Sequence, residues 1–87
     1  MRISRAGRAE RITLTVEGWI DTEAAGLLEA ECNAILGAGQ DVLLDLSGVR
    51  YLSASAAEIL RHLQTTRTEI ARCPPLILSL MERGNRP

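Results

Sequence analysis

The chain of 87 residues has no phenylalanine and no lysine, and only one histidine, one tryptophan and one tyrosine. Each shortage removes a class of function. A phosphate-binding loop needs glycines that open a helix and a lysine to reach the phosphates. Here Gly37-Ala38-Gly39 follows a helical pattern instead of preceding one, and the lysine is missing. One histidine and two scattered cysteines supply no metal site, and no motif calls for a cofactor. Two aromatics are too few for a nucleic-acid stacking platform, and a net charge of -1 draws the chain to neither nucleic acid nor anionic lipid. Cys32 and Cys73 form no CxxC pair, which argues against a disulfide framework and fits a reducing compartment. No apolar run approaches the ~20 residues that span a bilayer. The first residues lack the apolar segment of a signal peptide. The expectation is a cytoplasmic protein with no direct membrane insertion.

What is present is a hydrophobic fraction of 46%, suited to a packed core and contrary to disorder. The length fits one domain, residues 1–87. A domain of this size buries only about 60–65% of its unfolded surface, so modest stability is expected, to which a permanent partner could add. All ten basic residues are arginine, which together with abundant alanine reads as a compositional bias. Arg2, Arg5, Arg8 and Arg11 make a mildly basic start, read as a solvated arm or an edge strand.

Ile12, Leu14 and Val16 alternate with Thr13, Thr15 and Glu17, the period of a strand with one buried face. Arg2 to Arg5 is its candidate hairpin partner across Ala6 to Ala9. Gly18-Trp19-Ile20-Asp21 ends the strand. Asp21 or Thr22 then caps a helix over Asp21 to Leu36, with Glu23 in its first turn and Leu28, Cys32 and Ile35 at helical spacing. Gly37 and Gly39 close it. Val42 to Leu46 reads as a buried parallel strand, after which Ser47-Gly48 turns the chain. Ser55-x-x-Glu58 reads as a capping box for a second helix, Ser53 to Ala71, stopped by Pro74 and Pro75. Leu76 to Leu80 reads as a third buried strand. The fold class is α/β, a single small domain whose mostly parallel mixed sheet of about four strands carries two main helices, with right-handed crossovers.

Catalytic arrangements fail on geometry. Ser55 and His62 are seven residues apart on the second helix, about 10 Å along its axis, whereas a nucleophile and its base need roughly 3 Å. His62 is expected at the surface. Asp45, near a strand end, is either an acid–base group or a cap for the following turn. No enzyme activity is expected.

Two segments resemble the STAS family, the fold of sulfate transporters and anti-sigma factor antagonists. Gly18-Trp19-Ile20-Asp21 is similar to the family's Gly-x-(Leu/Ile)-Asp. The run Asp45-Leu46-Ser47-Gly48-Val49-Arg50-Tyr51-Leu52-Ser53-Ala54-Ser55-Ala56 is similar to Asp-Leu-Ser-Gly-Val-x-x-(Ile/Leu)-Asp-Ser-Ser-Gly. The resemblance covers residues 10 to 81. It implies partner switching, in which a serine kinase that is also an anti-sigma factor phosphorylates a serine at the start of the second helix and docks on the unmodified form. It places a partner-binding edge at Asp21, Ser47, Ser53, Ala54 and Ser55.

The chain departs from the pattern where phosphorylation would occur. Ser53 stands in place of the family's aspartate, Ala54 in place of the phosphoacceptor, and Ala56 in place of the glycine. Ser53 and Ser55 flank the position; each is a candidate phosphoacceptor or simply a helix cap. Three roles follow from the resemblance: an anti-sigma factor antagonist-like interaction module, an accessory subunit docked on the ATPase of a lipid-trafficking ABC-type transporter, or a module sensing a small ligand. Oligomeric state is left open. Most family members continue into another helix after the last strand, so Met81 to Pro87 is expected to begin such an element or to end a short variant.

Overall fold

Alternation in the first apolar segment dictates where the core lies. In the computed structural model, which describes residues 1–8, 10–65 and 67–83, the elements run β1 (Arg2–Arg8), β2 (Arg11–Ile20), α1 (Thr22–Gly37), β3 (Asp41–Leu52), α2 (Ala54–Leu63), β4 (Thr68–Ala71) and α3 (Pro75–Arg83). Ile12, Leu14, Val16 and Ile20 of β2 are buried, and the intervening Thr13 and Thr15 are half-buried on the opposite face. Val42, Leu44 and Leu46 of β3 stand beside them, Ile12 against Val42 and Leu14 against Leu44. Leu28, Cys32 and Ile35 of α1, Ala56, Ala57, Leu60 and Leu63 of α2, and Ile77 and Met81 of α3 join one hydrophobic cluster with these strand residues. The helices therefore cover one face of the sheet.

The strand order is β1-β2-β3-β4. β1 pairs antiparallel with β2, whereas β2, β3 and β4 are mutually parallel and joined by α1 and α2. The expected N-terminal hairpin is present and longer than expected: pairing runs from Arg2 with Glu17 to Arg8 with Arg11, and Ala9 lies outside the described residues. Gly7 has φ +148, and a Cβ there would fall 2.3 Å from the Arg11 carbonyl oxygen, so the tight turn requires glycine.

α1 ends as its sequence indicates. The Gly39 amide donates to Leu36 O at 3.0 Å and the Gln40 amide to Ile35 O at 3.2 Å, with Gly39 at φ +85. Arg67 then holds this end from across the fold. Its guanidinium donates to Leu36 O at 3.2 Å, Gln40 O at 3.1 Å and Asp41 Oδ1 at 3.1 Å, bringing a cation to the negative end of the helix.

The C-terminal third differs from the sequence expectation in two places. The second helix ends at Leu63, not Ala71, and Thr68–Ala71 is the fourth strand, Thr68 beside Val42 and Ile70 beside Leu44. Thr66, within that expected helix, lies outside the described residues. Leu76 to Leu80 is not a strand but part of α3. Pro75 occupies the first helical position, where its missing N–H costs nothing, and the Leu78 amide donates to Pro74 O at 2.9 Å. Ile77 and Met81, four apart, point inward, while Leu76 and Leu78 are exposed. The extra helix expected from Met81 onward is this one, and it begins six residues earlier, at Pro75; residues 84–87 lie outside the described residues.

Both cysteines are free, Cys32 buried in α1 and Cys73 half-buried between β4 and α3. Burial, with Glu31 and Glu29 nearby, pushes the Cys32 thiol up to about 11.

Thr68 is fully buried and its hydroxyl has no hydrogen-bond partner among the described residues. An unpaired buried hydroxyl destabilises, and valine presents the same branched shape without it. Thr68→Val should raise unfolding stability by about 1 kcal/mol, or Tm by about 4–8 °C, in urea and thermal melts. A loss of stability would show that the hydroxyl is bonded in solution.

Candidate docking site

Parallel pairing of β2 and β3 continues to Ile20 beside Leu52, so both strands end at the same level. The Ser53 amide donates to the Ile20 carbonyl at 3.0 Å, tying the exit of β3 to the exit of β2. The starts of α1 and α2 are thereby adjacent. Asp21 caps α1, its Oδ1 accepting from the Ala24 amide at 2.8 Å. Ser53 caps α2, its Oγ accepting from the Ala56 amide at 3.1 Å. Asp21, Ala54 and Ser55 are exposed, and Ser53 is half-buried beneath them.

Two details correct the sequence reading. The capping box of Ser55 with Glu58 is not the helix start: the cap lies two residues earlier, at Ser53, and Ser55 sits within the first turn. Ser47-Gly48 does not turn the chain. β3 runs on to Leu52, and the segment is a bulge where the register with β2 shifts between Thr15 and Glu17. Ser47 is exposed there, five residues before Leu52 and about 16 Å from it along the strand, so it is not brought together with Asp21 and Ser53. Gly48 fits close under β2; a Cβ would lie 2.7 Å from Glu17 Cγ and 3.3 Å from Val16 O.

Asp45 shapes this bulge. Its Oδ1 accepts from the Ser47 amide at 3.0 Å. That bond, a second from the Ser47 hydroxyl, and Arg72 at 3.7 Å hold the carboxyl below its ordinary value against a small opposing effect of desolvation. The group is a carboxylate that caps a bend, not an acid with a proton to give. His62 is exposed, its Nδ1 2.9 Å from the Glu58 carbonyl oxygen that accepts from it.

The same end of the sheet also carries an aromatic pair that the sequence pattern alone does not join. Trp19 and Tyr51 are register partners, with ring centroids 5.3 Å apart and planes inclined at 45°. Ile20 and Leu52 point into the core, so their preceding neighbours point away from it. Trp19 is 68% exposed and Tyr51 44%. Gly18 adopts φ +94, a conformation that favours glycine, although a Cβ there would make only ordinary contact with Met1 Cα at 3.7 Å.

A model of the family described as "Mlab, STAS domain" matches residues 3–85. The chain belongs to the STAS family. Its fold is that of the anti-sigma factor antagonist SpoIIAA in its unphosphorylated form, with a TM-score of 0.66 and 17% identity over 93% of this chain and 82% of that one. The crystal structure of Mglu aligns with a TM-score of 0.65 and 19% identity over 78% of this chain, which spans only 19% of Mglu. Mglu in its native form gives 0.55 at 22% identity. No curated protein matches the chain.

Two outcomes follow from the geometry. Ser53→Ala removes a cap and should cost about 1 kcal/mol in a denaturant titration, whereas Ser55→Ala should stay within about 0.5 kcal/mol of the parent. Equal costs would contradict the cap assignment.

The second concerns acid. The folded pKa of Asp45 lies below its ordinary 3.8, so its stabilisation is present above that value and lost as pH falls through the folded pKa. Asp45→Asn should therefore flatten the acid limb of the stability curve below about pH 4. Parallel limbs for the two proteins would show that the carboxylate contributes nothing there.

Proposed function

We propose that this STAS domain is a non-enzymatic docking module. It binds a protein partner through the end formed by Asp21, Ser53, Ala54 and Ser55, in the manner of an anti-sigma factor antagonist in bacterial partner switching. The observation that carries the reading is the bond from the Ser53 amide to Ile20 O, which sets two helix N-termini side by side under small, exposed side chains. A partner backbone or acidic group can approach such a surface closely, because first-turn amides and the helix dipole favour an acceptor. The exposed Trp19 and Tyr51 extend the surface with residue types that anchor interfaces. Ser47, down the strand, takes no part in it.

Ala54 bears on how such a contact is controlled. The resemblance puts the phosphoacceptor at this position, and alanine cannot accept a phosphate. Ser53 spends its hydroxyl on the Ala56 amide, which leaves Ser55 as the more accessible neighbour. A contact that is not switched by phosphate suits a constitutive partner, such as the ATPase of a lipid-trafficking ABC-type transporter, as well as a serine kinase of the anti-sigma type.

The test is Ala54→Glu. As an exposed first-turn residue, glutamate should leave stability unchanged or raise it by about 0.3–1 kcal/mol through the helix dipole. Binding to the kinase or transporter ATPase from the same organism, measured by calorimetry, should weaken by about 2 kcal/mol or more. Intact mass after incubation with that kinase and ATP should show the parent unmodified. Unchanged affinity in a folded variant would remove this surface from the interface, and stoichiometric phosphate on Ser53 or Ser55 would restore a switch.

A further inference from the structure

Among the described residues, β1 forms one edge of the sheet and pairs only with β2. An edge strand leaves half of its backbone N–H and C=O groups pointing outward, a template for another extended chain. Every residue from Arg2 to Arg8 is exposed except Ile3, which is half-buried. The opposite edge, β4, has four residues against seven in β1. β1 contains no proline, and its positive-φ glycine, Gly7, sits at the hairpin end. Arginines are therefore the main device that marks this edge.

Arg2, Arg5 and Arg8 place three positive charges in the strand, with no acidic residue among its seven. Arg2 stands opposite Glu17 in the pair, and Arg5 Nη1 lies 3.7 Å from Glu31 Oε2, both side chains about half exposed. Exposed pairs of this kind hold weakly and exchange readily.

Charge decides which chain fits. A second copy is disfavoured: the antiparallel register that pairs the whole strand sets Arg5 on Arg5 and Arg2 on Arg8, and a parallel in-register pair sets each arginine on itself. Nucleic acid would satisfy the charges but offers no peptide ladder to the open edge. An extended acidic polypeptide satisfies both. We infer that the free edge of β1 is an augmentation site for an extended, acidic segment of a partner protein. The segment adds to the sheet as a further strand and sets carboxylates against Arg2, Arg5 and Arg8. The side chains of Arg2 and Arg8 lie on the face away from the helices and Arg5 on the other, so the matching segment carries an acidic residue at every third position. This site lies along a different edge from the docking end and does not depend on that reading.

The probe is the peptide acetyl-Glu-Val-Thr-Glu-Val-Thr-Glu-amide, titrated into the full chain and followed by amide chemical shifts and fluorescence anisotropy. Shifts should concentrate on Arg2–Arg8. Affinity should fall at least about tenfold when salt is raised to about 0.5 M, and by a similar factor in the variant Arg2→Glu, Arg5→Glu, Arg8→Glu. A fully N-methylated peptide of the same sequence keeps the charges and loses its hydrogen-bond donors. It should not bind, and this arm holds even where the triple variant fails to fold. The inference is overturned by no binding at millimolar peptide or by equal binding of the N-methylated peptide or of an oligothymidylate of the same charge. Shifts confined to Trp19–Ser55, or a concentration-dependent dimer through β1, overturn it as well.

Discussion

The pairing of β2 with β3 is the constraint on which the rest of the structure depends. It runs from Arg11 beside Asp41 to Ile20 beside Leu52, yet β2 has 10 residues and β3 has 12. Two register shifts, one residue each, absorb the difference. Because the strands are parallel and end together, both following helices start at the same end, and one backbone bond from Ser53 to Ile20 locks that arrangement. Without the bulges, the exit of β3 would overshoot that of β2, and Ser53 would not meet Ile20 O.

The same bulges explain what the sequence concealed. In β2 the core positions Ile12, Leu14, Val16 and Ile20 keep a strict period of two, and that strand was legible. In β3 the buried residues are Val42, Leu44 and Leu46, then Val49 and Leu52. The spacing changes from two to three where each bulge flips the face, so an alternation argument ends the strand at Leu46. The same argument puts Ser47 in a turn near the candidate docking end, whereas it lies in the middle of a strand. α1 was legible from Asp21 to Gly39 because its cap, its apolar spacing and its left-handed glycine agree. Residues 64 to 80 were not, since a short apolar run reads equally as strand or buried helix. The proline pair read as the stop of one helix is the start of the next, and only the packing of Ile77 and Met81 decides it.

The candidate docking end was partly legible. Asp21, Ser53, Ala54 and Ser55 stood out because they fall on a motif with chemistry at a helix start. Trp19 and Tyr51 did not, because their neighbourhood exists only once β3 is extended past its bulges and paired to the end of β2. A large exposed aromatic pair beside two helix N-termini is costly to leave in water, and a small domain can ill spare that apolar area from its core. That cost is consistent with a surface shaped for contact and not for solvent.

Ala54 is where a switch and a fixed contact diverge. In the first turn of α2 the Ala56 amide is taken by Ser53 Oγ and the Ala57 amide by Ser53 O, whereas the Ala54 and Ser55 amides have no acceptor four residues back within the helix. A serine in place of Ala54, once phosphorylated, would offer its own oxygens to those amides and nearly two charges to the surface, competing with whatever the partner presents. Alanine leaves the amides open and the charge unchanged. On the docking reading, then, affinity at this end is governed by what the partner brings to the amides and the aromatic pair. Control of the complex passes from the state of this residue to the concentration and conformation of the partner.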